Sequence, residues 1–363
     1  MAPLVLVSAG GTGGHLFPAE ALGHALRARG ARVALATDAR VGHISSAFPA
    51  DEVVAVPSAT PSSPSPLTKA RAALVLGYGF LVASRLIRRM RPDVVAGFGG
   101  YPTVPPVMAA TFLGVPALIH EQNGVMGRAN RLLAPRVARI ATGFSEVRGI
   151  PTGATADRVH TGNPVRPAVI EAARIPFAPP APGGPLTLLV FGGSQGARVM
   201  SEVVPAALER LSADQRARLH LTQQARGEDL DRVRRAYAGL LPGAEAEPFF
   251  ADLPHRIASA HLVVSRSGAS TVAELAAIGR PAILVPLPGA LDQDQAANAA
   301  TLAAIGAATV IPQSAFTPDR LAAELAARLD APDTLTRAAE AAKSAGRVDA
   351  AERLADAVLG LVR

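Results

Sequence analysis

The sequence predicts an α/β protein of two lobes, each a parallel sheet covered by helices, and three observations carry that expectation. One grammar occurs twice, half a chain apart: an apolar β-type run, a glycine cluster, then a helical pattern. Runs such as Asp93-Val94-Val95-Ala96 and Ala282-Ile283-Leu284-Val285 lack polar alternation, as strands do when crossover helices bury both faces. A chain of 363 residues, 49% hydrophobic, also exceeds what one core usually holds, so two domains are expected.

In the first lobe the apolar run 4–8 leads into Gly10-Gly11-Thr12-Gly13-Gly14-His15, and an alanine- and leucine-rich helix is expected over residues 18–29. Alternating prolines and serines make 57–66 a loop. The uncharged stretch 72–84 holds 13 residues, short of the about 20 that a spanning helix needs, and four arginines (Arg85, Arg88, Arg89, Arg91) follow it. Gly99-Gly100-Tyr101-Pro102 and His120-Glu121-Gln122-Asn123-Gly124 each follow an apolar run, where α/β sheets gather ligands. Five prolines and two glycines in 174–185 mark a linker that begins near Gly162.

The second lobe repeats the pattern, 186–191 leading into Gly192-Gly193-Ser194-Gln195-Gly196-Ala197. A further loop, Ser265-Arg266-Ser267-Gly268-Ala269-Ser270-Thr271, supplies small side chains, hydroxyls and a helix start. Residues 335–363 are helical by pattern. The expected division is 1–163 and 164–341, with a terminal helix at about 342–363 returning to the first lobe.

Composition narrows the chemistry. Without cysteine there is no disulfide, thiolate metal site or cysteine nucleophile. The first residues lack a basic segment and read as a buried strand, not a secretion signal. A net charge of +7 favours an anionic partner, but three tyrosines, no tryptophan and no recognition motif rank nucleic acid last.

Glycine clusters between strand and helix let backbone amides approach a phosphate. Neither cluster is a dinucleotide fingerprint, since Leu16 stands where the third glycine belongs, and no Gly-Lys-Ser/Thr loop exists. Glu274 has two readings: Thr271-Val272-Ala273-Glu274 fits a capping box, and a carboxylate there could instead grip ribose hydroxyls. Gln295 and Asn298, three apart on a helix, could read sugar hydroxyls. His15, His120 and Glu121 are the candidate bases; His120 reads more readily as an orienting group, and His15 in its glycine loop is preferred. Asp292-Gln293-Asp294 superficially fits a metal motif, but the amide-rich loops are expected to hold a diphosphate without metal or other cofactor.

Six motifs in order resemble the MurG-type glycosyltransferases of peptidoglycan synthesis: the segments starting at Gly10, His120, Gly192 and Ser265, together with Gly97-Phe98-Gly99-Gly100-Tyr101-Pro102 and Thr161-Gly162-Asn163-Pro164-Val165-Arg166. The resemblance spans nearly the whole chain and implies a GT-B fold, two Rossmann-like domains whose parallel sheets face each other across a cleft. It implies an inverting transfer of N-acetylglucosamine from UDP-GlcNAc to the 4-hydroxyl of the MurNAc of lipid I, giving lipid II. Carried over by position, Arg166, Ser194 and the backbone around Phe250 meet uracil, Phe249 covers it, and Glu274 holds the ribose. The loop Ser267, Gly268, Ala269, Ser270 and Thr271 takes the diphosphate, and Gln295 with Asn298 takes the sugar. Thr12, Gly13, Gly14, Tyr101, His120 and Asn123 line the acceptor side, with His15 as base and Glu121 as the second choice. The implied location is the cytoplasmic face of the membrane, bound peripherally to anionic lipid through the segment 74–91. The alternatives on the same fold are a transferase for a soluble acceptor and a UDP-sugar 2-epimerase.

Overall fold

The computed structural model describes residues 2–10, 13–38, 48–60, 65–193, 196–289 and 294–362. They form two compact units, 1–166 with 349–363, and 167–348. The division falls after Arg166, so the proline-rich stretch 174–185, expected to belong to the linker, lies inside the second unit.

The first unit comprises β1 (Leu4–Ser8), α1 (Gly13–Ala28), β2 (Arg32–Thr37), β3 (Glu52–Ala55), α2 (Pro66–Met90), β4 (Val94–Gly97), α3 (Val104–Phe112), β5 (Ala117–Glu121), α4 (Arg128–Leu133), β6 (Arg139–Thr142) and β7 (Asp157–His160). The seven strands pair in parallel in the order β3-β2-β1-β4-β5-β6-β7. Leu6, Val7, Val95 and Ile119 are fully buried because helices cover both faces, which explains the uninterrupted apolar runs. On one face Leu16, Leu22 and Leu26 of α1 pack with Leu354 and Val358; on the other, Ala83, Leu86 and Ile87 of α2 pack with Val104 and Val107 of α3.

Two helices depart from expectation. α1 starts at Gly13, five residues before the position that Pro18 suggested, so Gly13, Gly14 and His15 form its first turn. Proline usually marks a helix start, and here it lies within the helix. α2 is 25 residues, longer than the 13-residue uncharged stretch within it, and by length and apolarity could cross a membrane, contrary to the expectation from that stretch. Its arginines lie in the last turns of the helix, up to the C-cap residue Arg91. One face, with Ala72, Gly79, Ala83, Ser84, Leu86 and Ile87, is nevertheless buried in the unit.

The second unit runs α5 (Pro167–Ala172), β8 (Leu186–Phe191), α6 (Arg198–Leu208), α7 (Ala213–Ala217), β9 (Leu219–Gln224), α8 (Gly227–Leu240), β10 (Glu245–Glu247), α9 (Leu253–Ser259), β11 (Leu262–Ser265), α10 (Ala269–Ile278), β12 (Ala282–Leu284), α11 (Asp294–Ala304), β13 (Ala308–Val310), α12 (Pro318–Asp330) and α13 (Asp333–Ala345). Its six strands pair in parallel in the order β10-β9-β8-β11-β12-β13. The terminal helical stretch breaks at Gly346: α13 packs on α10, whereas α14 (Ala350–Leu359) packs on α1 of the first unit.

Arg280 closes the base of the second unit. It is 1% exposed and donates to the carbonyls of Ile175 (3.1 Å), Pro176 (3.2 Å), Ala258 (2.9 Å), Ile278 (3.0 Å) and Gly279 (3.1 Å), just where α5, α9 and α10 end. The negative ends of these helices favour a cation, and burial lowers its pKa only to about 10, so it stays charged at neutral pH. Arg280→Met keeps the bulk but strands the carbonyls, and is expected to cost about 2–4 kcal/mol in urea unfolding followed by circular dichroism.

Candidate active site

Both sheets reverse direction of growth at one place, between β1 and β4 in the first unit and between β8 and β11 in the second. Ligands of doubly wound sheets bind outside the strand ends at such switch points, and the glycine loops of this chain occupy both.

In the first unit, Gly99 and Gly100 after β4 adopt φ of 81° and 70°, a left-handed pair that side chains resist. A β-carbon at Gly100 would also stand 3.3 Å from the imidazole of His15, so the turn brings backbone against that ring. Tyr101 opens the short 3-10 turn that follows, and Thr103 hydroxyl donates to the carbonyl of Gly99 at 2.6 Å. Half-buried His15, in the first turn of α1, places Nδ1 3.3 Å from Oε1 of Gln122.

Below it lies a fully buried polar cluster at the end of β5. His120 Nε2 donates to the Gly162 carbonyl at 3.1 Å, and Gln122 Nε2 reaches His120 Nδ1 at 3.1 Å and the carbonyls of Phe98 (3.0 Å) and His120 (3.1 Å). Burial lowers the His120 pKa to about 4, so the ring is neutral in the cell's pH range. Glu121 accepts from the amides of Asn123 (3.0 Å) and Gly127 (2.9 Å) and the side chains of Asn123 (3.3 Å) and Asn130 (2.8 Å). Four donors occupy this carboxylate, an arrangement that holds the 122–127 loop against the start of α4. Arg166 belongs to this unit, its guanidinium 4.4 Å over the Phe17 ring.

In the second unit, Gly192 bonds Gln224 Oε1 through its amide at 3.2 Å, and a β-carbon there would fall 2.2 Å from the amide nitrogen of Ala197. Only glycine lets the strand meet α6 this closely. After β11, Gly268 is the N-cap of α10, with no side-chain cap. Thr271 therefore lies inside the helix, and the capping-box reading of Glu274 is corrected: buried Glu274 sits a full turn further on. The amides of Ala269, Ser270 and Thr271, which have no partner within the helix, and its dipole make an anion seat.

This loop is braced by α11. Ser267 Oγ donates to the Gln295 carbonyl (2.8 Å), Asn298 Nδ2 donates to the Ser267 carbonyl (3.2 Å), and Gln295 Oε1 accepts from the Leu287 amide (3.0 Å). Asn298 is fully buried, so it holds the loop, contrary to its expected place on a sugar-reading surface. Past β10, Phe249 is 70% exposed while Phe250 is buried, with the Arg256 guanidinium 4.3 Å over its ring. Phe249 thus offers a bare aromatic face. Thr12, Ser194, Gln195 and Asp292 lie outside the described residues; Asp294 Oδ1 caps the amide of Gln295 at 2.7 Å. Gln122 and the Gly162 carbonyl escaped the sequence reading as functional groups; a glutamine between the candidate residues His120 and Asn123 was the available signal.

Comparison with known proteins points one way. Residues 5–142 match the model of the glycosyltransferase family 28 N-terminal domain, and residues 187–354 that of the family 28 C-terminal domain. A protein of Methylorubrum populi named UDP-N-acetylglucosamine--N-acetylmuramyl-(pentapeptide) pyrophosphoryl-undecaprenol N-acetylglucosamine transferase is 67% identical over 357 residues, 98% of this chain and 96% of that one. A protein of the same name from Rhodopseudomonas palustris is 60% identical over 98% of both. Among solved structures, Acinetobacter baumannii MurG superposes with a TM-score of 0.79 at 28% identity over 99% of both chains.

The buried His120 has a thermodynamic signature. Its folded pKa of about 4 lies below the unfolded value of 6.5, so the unfolded chain binds the extra proton between them. Its contribution is complete above pH 6.5 and is lost as pH falls toward 4, about 3 kcal/mol in total. Urea unfolding at pH 7 and pH 4.5 should show a smaller acid loss in His120→Gln than in the wild type.

Proposed function

Since the chain belongs to glycosyltransferase family 28, we propose that it transfers N-acetylglucosamine from UDP-GlcNAc to the 4-hydroxyl of the MurNAc of lipid I, releasing UDP and forming lipid II. The observation that carries this is 60–67% identity, over nearly whole chains, to transferases named for that reaction. The site supplies the means.

On the donor side Phe249 stacks on the uracil, Glu274 accepts from the ribose hydroxyls, and the amides of Ala269, Ser270 and Thr271 hold the diphosphate. Gln295 faces the sugar, while Ser267, Gly268 and Asn298 keep the loop in shape. On the acceptor side Gly13, Gly14, Tyr101 and Asn123 surround His15. His15 takes the proton of the 4-hydroxyl as that oxygen bonds to the anomeric carbon, and the bond from carbon to the UDP oxygen breaks with its electron pair going to the diphosphate. The helix amides stabilise the charge that develops there. A single displacement of this kind inverts the anomeric centre.

Incubation with UDP-GlcNAc and lipid I should release UDP and give a disaccharide lipid. Transfer to a soluble acceptor alone, or conversion of the donor to its 2-epimer, would point to another enzyme of this fold. Loss of a positioned base costs about 100- to 10,000-fold. His15→Ala should therefore lower kcat on that scale while calorimetry shows UDP affinity unchanged.

The acceptor's lipid requires that the enzyme work at a membrane surface, and α2 carries the means. Leu67 (84% exposed), Leu74 (76%), Tyr78 and Leu81 point outward near exposed Phe112 of α3, and Arg85 and Arg88 follow with their side chains in solvent. Arg89 is ion-paired with Glu52, whereas Arg85 and Arg88 present exposed cations that can meet anionic headgroups. We assign peripheral binding to the cytoplasmic face of the membrane to this surface. At about 1 kcal/mol for each basic residue, reversing both to glutamate should weaken sedimentation with anionic vesicles on the order of 100-fold or more. UDP affinity and transfer to a short-chain acceptor should be spared.

A further inference from the structure

The chain of hydrogen bonds beneath His15 has a direction, and it can be read from the bottom. The Gly162 carbonyl only accepts, so His120 Nε2, 3.1 Å away, carries a proton. The ring is neutral, so Nδ1 carries none and accepts from Gln122 Nε2 at 3.1 Å. The orientation of the Gln122 amide follows independently: its nitrogen faces two carbonyls, of Phe98 at 3.0 Å and His120 at 3.1 Å, where an oxygen would be repelled. Its oxygen therefore faces His15, and an amide oxygen can only accept. The nitrogen of His15 that meets it at 3.3 Å must be Nδ1–H.

We infer that Gln122 is a positioning residue that fixes the tautomer of His15, with the proton held on Nδ1 and the lone pair on Nε2. The amide does for this histidine what a buried carboxylate does in a hydrolase triad, but without a negative charge. The difference matters. A carboxylate would stabilise the imidazolium by its charge, whereas a neutral amide orients the ring without adding one. When Nε2 takes a proton, the Nδ1–H bond to Oε1 strengthens and nothing else in the chain has to move. Gln122 is 2% exposed and His120 fully buried, so water cannot compete for these groups and the direction persists. Asn163 Nδ2 adds a clamp, donating to the Gln122 backbone carbonyl at 2.8 Å.

The inference rests on the reading of His15 as base only for its consequence in the reaction; the tautomer is a separate fact. It is tested by nitrogen NMR of the full-length enzyme labelled with ¹⁵N-histidine, at neutral and mildly alkaline pH. The signals of His15 are identified among the eight histidines by their loss in His15→Gln. The wild type should show a protonated, pyrrole-type Nδ1 and an unprotonated, pyridine-type Nε2. A proton on Nε2 overturns the inference, and so does a ring protonated on both nitrogens.

Gln122→Met, similar in length but unable to bond, should move His15 toward a mixture of tautomers. With that loss kcat should fall on the order of 10- to 100-fold, while KM for UDP-GlcNAc stays the same. An unchanged His15 spectrum in this variant also overturns the inference; if the variant does not fold, the wild-type spectrum still decides. Should the tautomer be as stated and His15→Ala retain full turnover, the base assignment fails and the tautomer assignment stands.

Discussion

The structure depends on how closely a strand end approaches the helix that follows it. At Gly192 the margin is smaller than a methyl group, and in the first unit the Gly99-Gly100 turn passes close against His15, where a β-carbon would stand 3.3 Å from the ring. Where side chains are excluded, backbone amides become the surface, and an amide fixed by its own secondary structure needs no reorganisation to meet a charge. The parallel sheets set the location, because only at the β1/β4 and β8/β11 switch points do adjacent crossovers diverge and leave the strand ends uncovered.

The two units use this geometry differently. The second presents the uncapped start of α10, a place suited to an anion, and a loop tied to α11 through Ser267 and Asn298. The first sets neutral polar groups of high burial beneath His15, with a carboxylate, Glu121, that accepts from donors of its own loop and of α4. Burying so many polar groups is costly unless each is paired, and the pairing sets a direction. Stability and function share those bonds: the contacts that keep β5 and its loop in place also orient the imidazole.

What was legible in the sequence was local. Glycine clusters after apolar runs marked both switch points, because the requirement for a small residue is confined to a few positions. Runs without alternation gave the parallel sheets for the same reason. Misreadings arose where a distant contact overrides a local signal. Thr271 and Glu274 have capping-box spacing, but the helix starts at Gly268, where β11 delivers the chain. Asn298 shares a helix with Gln295, yet its burial against the Ser267 loop comes from tertiary packing. The 13-residue uncharged stretch measured only part of a helix: α2 runs from Pro66 to Met90, its charges at both ends of that stretch. Least visible was the role of Gln122, whose partners His15, Phe98 and Gly162 (through His120) are scattered over 147 residues of sequence, taking 162 minus 15.

In the proposed reaction a base activates the acceptor oxygen while helix amides hold the departing diphosphate, and a single displacement of that kind inverts the anomeric centre. The proposed donor is an α-linked sugar nucleotide. The direct measurement is the proton NMR coupling at the anomeric position of the new disaccharide, made by the wild-type enzyme from UDP-GlcNAc and a short-chain lipid I analogue. The large coupling of a β-linkage is the predicted result. The small coupling of an α-linkage would contradict the account, since retention needs either a covalent sugar intermediate or attack from the face that UDP leaves.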